Sequence, residues 1–265
     1  MNTVTPERRS TLRSVAVPTE HGGWGLTLEP ALLGLLVAPG WPGACLAVAA
    51  LLGFMARTPL KVVLVDRRRD RWLHRTRTAA VVAGVELALI CVLAGAAWLR
   101  ADAPFWWPLA IAAPLVAVGL WFDMRSRSRR LAPELAGAVG ISAVAAMIVL
   151  ADGGDTRLAV GLWLIPAARA LTAIPAVRAV VARVHGRTVD RSAATVGDVG
   201  ALLLAGSAVI AEPSLAAGAV AVLGVVVVQR LWARRPPARI AVLGIRQMLV
   251  GLAVVIITAA GVAAS

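Results

Sequence analysis

Nine apolar runs dominate this chain, at roughly 22–38, 41–65, 78–99, 104–122, 133–151, 158–179, 195–211, 214–231 and 239–262. Crossing ~30 Å of hydrocarbon takes about 20 apolar residues as a helix, and most of these runs approach or reach that length. A 265-residue chain that is 59% hydrophobic cannot bury so many runs in one soluble core. Its mean hydropathy of +0.81 points the same way. The expected fold is all-α: a polytopic membrane bundle of nine transmembrane helices, with residues 1–19 as a polar tail and 20–265 as one transmembrane domain. "RRSTLR" faintly resembles a twin-arginine signal, but Glu20 and His21 stand where its apolar core would begin. Cys45 and Cys91 both fall inside apolar runs, where cysteine is expected as a small buried hydrophobe rather than as a disulfide or metal ligand.

Charge sets an expected orientation. Of 27 lysines and arginines, only Arg100 and Arg157 lie in the short links "DAP" and "DGG" or beside them. The other 25 lie in the N-terminal segment, in the links "DRRRDRWLHRTR", "DMRSRSRR", "RVHGRTVDR" and "RLWARRPPAR", or in the helix halves next to them. The positive-inside rule then places the N-terminus and the basic links in the cytoplasm. Nine crossings leave the C-terminus outside, in a bacterial plasma membrane. The net charge of +13 is absorbed by this topology and by anionic headgroups. It is split among loops and accompanied by no nucleic-acid-binding motif, which argues against a nucleic-acid partner. Trp41, Trp98, Trp106 and Trp107 cluster toward the opposite end, as interfacial anchors do.

Some charges lie inside the apolar runs. With a rise of ~1.5 Å per residue, Glu29, Arg57, Glu86, Arg169 and Arg246 all fall about 10–15 Å below the basic surface. Lys61 follows Arg57 by one helical turn and shares its face. Exposure to lipid at that depth costs several kcal/mol, so these groups are expected to turn inward and to converge on one cavity. Glu29 with Arg57 is the first pairing expected. Four cations against two carboxylates leave an excess of two positive charges, suited to an anionic amphiphile whose headgroup arginine forks would hold. Glu20 and His21 would form the cavity rim; the plainer reading makes them a helix N-cap. Gly22, Gly23 and Gly25 allow close approach there, and Trp24 suits an interface or a pocket wall. His74 and His185 lie in basic loops, where a solvated ring is expected.

Several stretches carry a resemblance. "PTEHGGWGLTLEP" resembles the "EHGAW" signature that opens the YwiC-like family of bacterial membrane proteins. "ARTPLKVVLVDRRRDR", "RLAPELAGAVGIS", "RALTAIPAVRAVVAR" and "RIAVLGIRQMLVGLAVV" extend it over nearly the whole chain. The closing segment of that family usually carries a glutamate where Gly244 stands here. A more distant resemblance is to the UbiA-type intramembrane prenyltransferases: nine helices with functional loops after helices 2 and 6. In that superfamily an arginine in helix 2 precedes an aspartate-rich motif, as Arg57 here precedes Asp66 and Asp70. The resemblance implies that these two aspartates are the candidate Mg²⁺ ligands, since Mg²⁺ takes hard oxygen donors. At spacing i, i+4 they form a plausible pair, although Arg67, Arg68, Arg69 and Arg71 compete with a metal. The matching region after helix 6 offers only Asp190.

Three functional classes fit: a degenerate prenyltransferase-like enzyme or binder of an anionic isoprenoid or quinone-type lipid, a small anion transporter, and a structural or assembly partner of a membrane complex. The transporter reading lacks a clear internal repeat or broken-helix pair.

Overall fold

The computed structural model describes residues 21–125, 130–188, 191–236 and 240–265, with backbone alone at His21, Gly22, Arg191 and Ile240. Glu20 and the His21 side chain, expected at the cavity rim, therefore lie outside the described residues, as does Asp190. The described residues form nine α-helices: α1 (His21–Val37), α2 (Trp41–Arg68), α3 (His74–Trp98), α4 (Trp106–Met124), α5 (Leu131–Ala151), α6 (Thr156–Val184), α7 (Arg191–Ala211), α8 (Ala216–Ala233) and α9 (Ile240–Ala263). A 3₁₀ turn, Pro213–Leu215, leads into α8. All nine apolar runs become helices, and eight of these are long and apolar enough to cross a membrane. The exception is α1, a shorter apolar helix.

Long-range contacts show how the links cluster. At one end the Asp102 N–H donates to the Ala151 carbonyl at 3.0 Å, joining the link after α3 to the end of α5. A Cβ at Gly40 would strike the Asp152 carboxylate, so the link after α1 sits there too. At the other end Arg183, in the last turn of α6, donates to the Ala233 carbonyl at 2.8 Å, where α8 ends. Successive helices thus run up and down, with the helix ends that border the basic links on one side.

The helix α5 is central and packs on α1, α2, α4 and α6. Small residues let it approach closely. A Cβ at Gly34 would lie 2.8 Å from Ile148 Cβ, and one at Gly43 would lie 2.7 Å from Ile148 Cγ2, so α1 and α2 both rest their backbones on this one side chain.

Packing is tight at the end away from the basic links and loose at the basic end. Every residue from Ser142 to Ala151 of α5 is buried, as is every one from Ile165 to Ala170 of α6. Beyond Pro175 no residue of α6 is buried, and between Leu51 and Arg68 only Ala56, Pro59 and Asp66 of α2 are. The basic ends of these helices thus have fewer neighbours than the opposite ends.

Several helices run past the expected apolar bounds; α7, for example, starts at Arg191 rather than 195. The helix α3 starts at His74 rather than near 78, and α6 continues to Val184 rather than about 179. Cys45 is buried as expected, whereas Cys91 is exposed on the outer face of α3. That helix packs substantially on α2 alone, so most of its circumference lies outside the bundle.

Candidate ligand site at the basic half of the bundle

Arg57 projects from α2 toward α4. Its Nε donates to Asp123 Oδ2 at 2.8 Å and its Nη2 to Asp123 Oδ1 at 3.3 Å, a forked pair. Lys61, one turn further on the same face, places Nζ 3.7 Å from Asp123 Oδ1. The carboxylate has no exposure at all, while both cationic side chains are 38% exposed. Asp123 reaches them because α4 continues through Met124, which makes this residue part of the helix and not of the basic link.

The expected Glu29–Arg57 pair is therefore not formed. Glu29 instead faces Arg169 of α6, with Nε 3.1 Å from Oε2 and both side chains almost fully buried. The angle at this Nε does not make a hydrogen bond, and Arg169 Nη2 donates to the Gln247 carbonyl of α9 at 2.6 Å. Gly251, one turn beyond Gln247, provides the space: any Cβ there would overlap the Glu29 carboxylate. Glu29 Oε1 and Gln247 Oε1 are buried without a hydrogen-bond partner. This centre therefore fastens α1, α6 and α9 together and retains unspent polar capacity.

A second network lies one turn along α6. Thr172 donates to Asp198 Oδ1 of α7 at 2.5 Å and approaches Gln229 Oε1 of α8 at 3.2 Å. Arg230 Nε donates to the other oxygen of Asp198 at 2.5 Å. Nearer the surface Arg178 of α6 donates to Glu134 Oε2 of α5 at 2.9 Å.

The remaining expected residues lie elsewhere. Glu86 is buried on α3, with Oε2 unpartnered. The helix that carries it packs substantially on α2 alone. Arg246 lays its guanidinium over the Trp232 ring, 5.1 Å from the centroid, between α9 and α8. The expected charges do occupy the basic half. However, the described residues distribute them over separate interfaces rather than around one cavity. Counting Asp123, Glu134, Arg178, Asp198 and Arg230, none of which was singled out from sequence, six cations face five carboxylates. The expected excess of two falls to one.

The aspartate pair also changes character. Asp66 Oδ2 accepts from Thr76 Oγ1 at 2.6 Å, and Oδ1 accepts from Arg75 Nη2 at 3.1 Å. Thr76 Oγ1 in turn accepts from the Leu73 N–H at 3.2 Å, which caps α3. Asp66 therefore braces the α2–α3 turn. Asp70 does not share its helical face, because α2 ends at Arg68 and Asp70 takes a left-handed conformation with φ 51°. Among the described residues no three His, Cys, Asp or Glu side chains gather as a metal site.

Among the smaller expectations, Trp24 packs edge-on against Phe54 of α2, with centroids 5.1 Å apart. His74 opens α3 and is exposed; His185 ends α6, its ring Nδ1 2.8 Å from the Val181 carbonyl.

Helices of spanning length, paired through buried charges, define a polytopic helical membrane protein. Within that class, the model of the YwiC-like protein family matches residues 17–149, half of the chain, and the chain belongs to that family. The match runs from before α1 nearly to the end of α5 and contains Glu29, Arg57, Lys61 and Asp123. No curated protein and no solved structure matches the chain.

Proposed function

We propose that this protein binds the anionic group of an amphiphile within the membrane, with Arg57 and Lys61 as the contacting cations. One observation carries the reading. Two cations on one face of α2 converge on a fully buried carboxylate, Asp123, yet each keeps more than a third of its side chain exposed. A buried anion that holds two partly exposed cations in fixed geometry pre-organises them for a phosphate or carboxylate. Phe54, three residues before Arg57 on α2, and Trp24 packed against it would give an apolar chain an aromatic wall. The positive-inside pattern supports a cytoplasm-facing site, and the resemblance to UbiA-type prenyltransferases favours an isoprenoid or quinone-type chain. Binding is favoured over metal-assisted transfer because Asp66 already spends its oxygens on Arg75 and Thr76.

The test is native mass spectrometry of the purified protein for a retained isoprenoid or quinone-type anion. The wild type should carry one, and Lys61→Gln and Arg57→Gln should lose it. Equal retention in both variants would reject the site.

A further inference from the structure

A second set of groups lies between the basic ends of α2 and α4. A cavity of about 240 Å³ is lined there by Arg68, Trp121, Met124 and Arg125. The Arg125 guanidinium sits over the Trp121 ring, 4.2 Å from its centroid. Among the described residues neither Arg68 nor Arg125 is paired with a carboxylate, whereas Arg57, Arg169, Arg178 and Arg230 each are. Two guanidinium groups without counter-charge thus share one small space with an aromatic wall. Below it, Ile111, Val118 and Trp121 fall on one stripe of α4 and are 57%, 39% and 50% exposed, an apolar track running into the bilayer. Arg68 is seven residues beyond Lys61, hence roughly 10 Å closer to the basic surface, and this space is distinct from the Arg57–Lys61 pair.

We infer that this cavity holds the phosphate headgroup of an anionic membrane phospholipid, with the acyl chains along the Ile111–Trp121 stripe. Guanidinium forks match phosphate oxygens in pairs. Tryptophan favours headgroup depth, and basic clusters at that depth attract acidic lipids. The open apolar track distinguishes a lipid from a free phosphate, which would need only the arginines.

The experiment titrates the detergent-purified protein with phosphatidylglycerol, phosphatidylcholine or inorganic phosphate and counts bound molecules by native mass spectrometry. Phosphatidylglycerol should bind in preference to phosphatidylcholine, and inorganic phosphate should not displace it. The Arg68→Gln, Arg125→Gln double variant replaces exposed residues and should keep its melting temperature while losing roughly tenfold in affinity. A phosphatidylglycerol carrying a photoreactive acyl chain should label residues 111–124 of α4. Lys61→Gln, which keeps the Arg57–Asp123 pair, should leave phosphatidylglycerol affinity and α4 labelling unchanged, which separates this site from the one proposed above. Equal binding of phosphatidylcholine, displacement by inorganic phosphate, an unaffected double variant, or labelling away from α4 would each overturn the assignment.

Discussion

Arg169 is the side chain on which the bundle interior depends most. It is nearly fully buried and touches Glu29 of α1 and the Gln247 carbonyl of α9 at once. Removing one member of a buried pair strands the other. Arg169→Ala should therefore cost about 3–5 kcal/mol, read from the midpoint of a denaturant titration in detergent micelles. Arg169→Met combined with Glu29→Gln should recover most of that loss. Gly251→Ala should also destabilise, by about 1–3 kcal/mol, because its methyl group takes space the Glu29 carboxylate occupies. The depth of these groups was legible in the sequence, since helical rise converts residue number into distance. The partners were not. Pairing depends on the rotation and neighbours of each helix, and Arg57 turns to Asp123 while Glu29 turns to Arg169. Asp123 went unnoticed because it borders the basic run "DMRSRSRR"; a lone acid at the seam of an apolar run and a basic run was the available signal.

At the scale of elements, the turn between α2 and α3 shows how charge alone misleads. The spacing of Asp66 and Asp70 looked like a metal pair on one helical face, but the helix ends between them. Asp66 then serves Thr76 and Arg75, and these contacts extend α3 back to His74. Asp66→Asn or Thr76→Val should loosen this turn by about 1–3 kcal/mol and hasten proteolysis within residues 69–73. In calorimetric titration Mg²⁺ should release no binding heat that depends on Asp66 or Asp70; tight stoichiometric binding lost in Asp66→Asn would restore the metal reading. The extra length of α6 has a similar origin, because Arg178 and Arg183 find acceptors on α5 and at the end of α8. A basic sequence reads as a solvated link until such acceptors are placed beside it.

For the whole molecule, the nine helices were readable because long apolar runs leave a chain few alternatives. The unequal packing of its two halves was not, since burial depends on which helices become neighbours and not on the apolar runs themselves. The orientation expected from the basic links is testable in a background lacking Cys45 and Cys91. Cysteines at Arg71 and Ser265 should label from opposite sides of the membrane, and same-side labelling would contradict the topology. The central claim, an amphiphilic anion held by Arg57 and Lys61, is tested most directly by ligand-dependent melting. Farnesyl phosphate added at 100-fold above its dissociation constant should stabilise the wild type by about 2.7 kcal/mol, with a melting temperature that rises with concentration. Lys61→Gln should shift that dependence to higher concentration. A wild-type melting temperature that does not move with farnesyl phosphate, or moves equally in Lys61→Gln, would contradict the account.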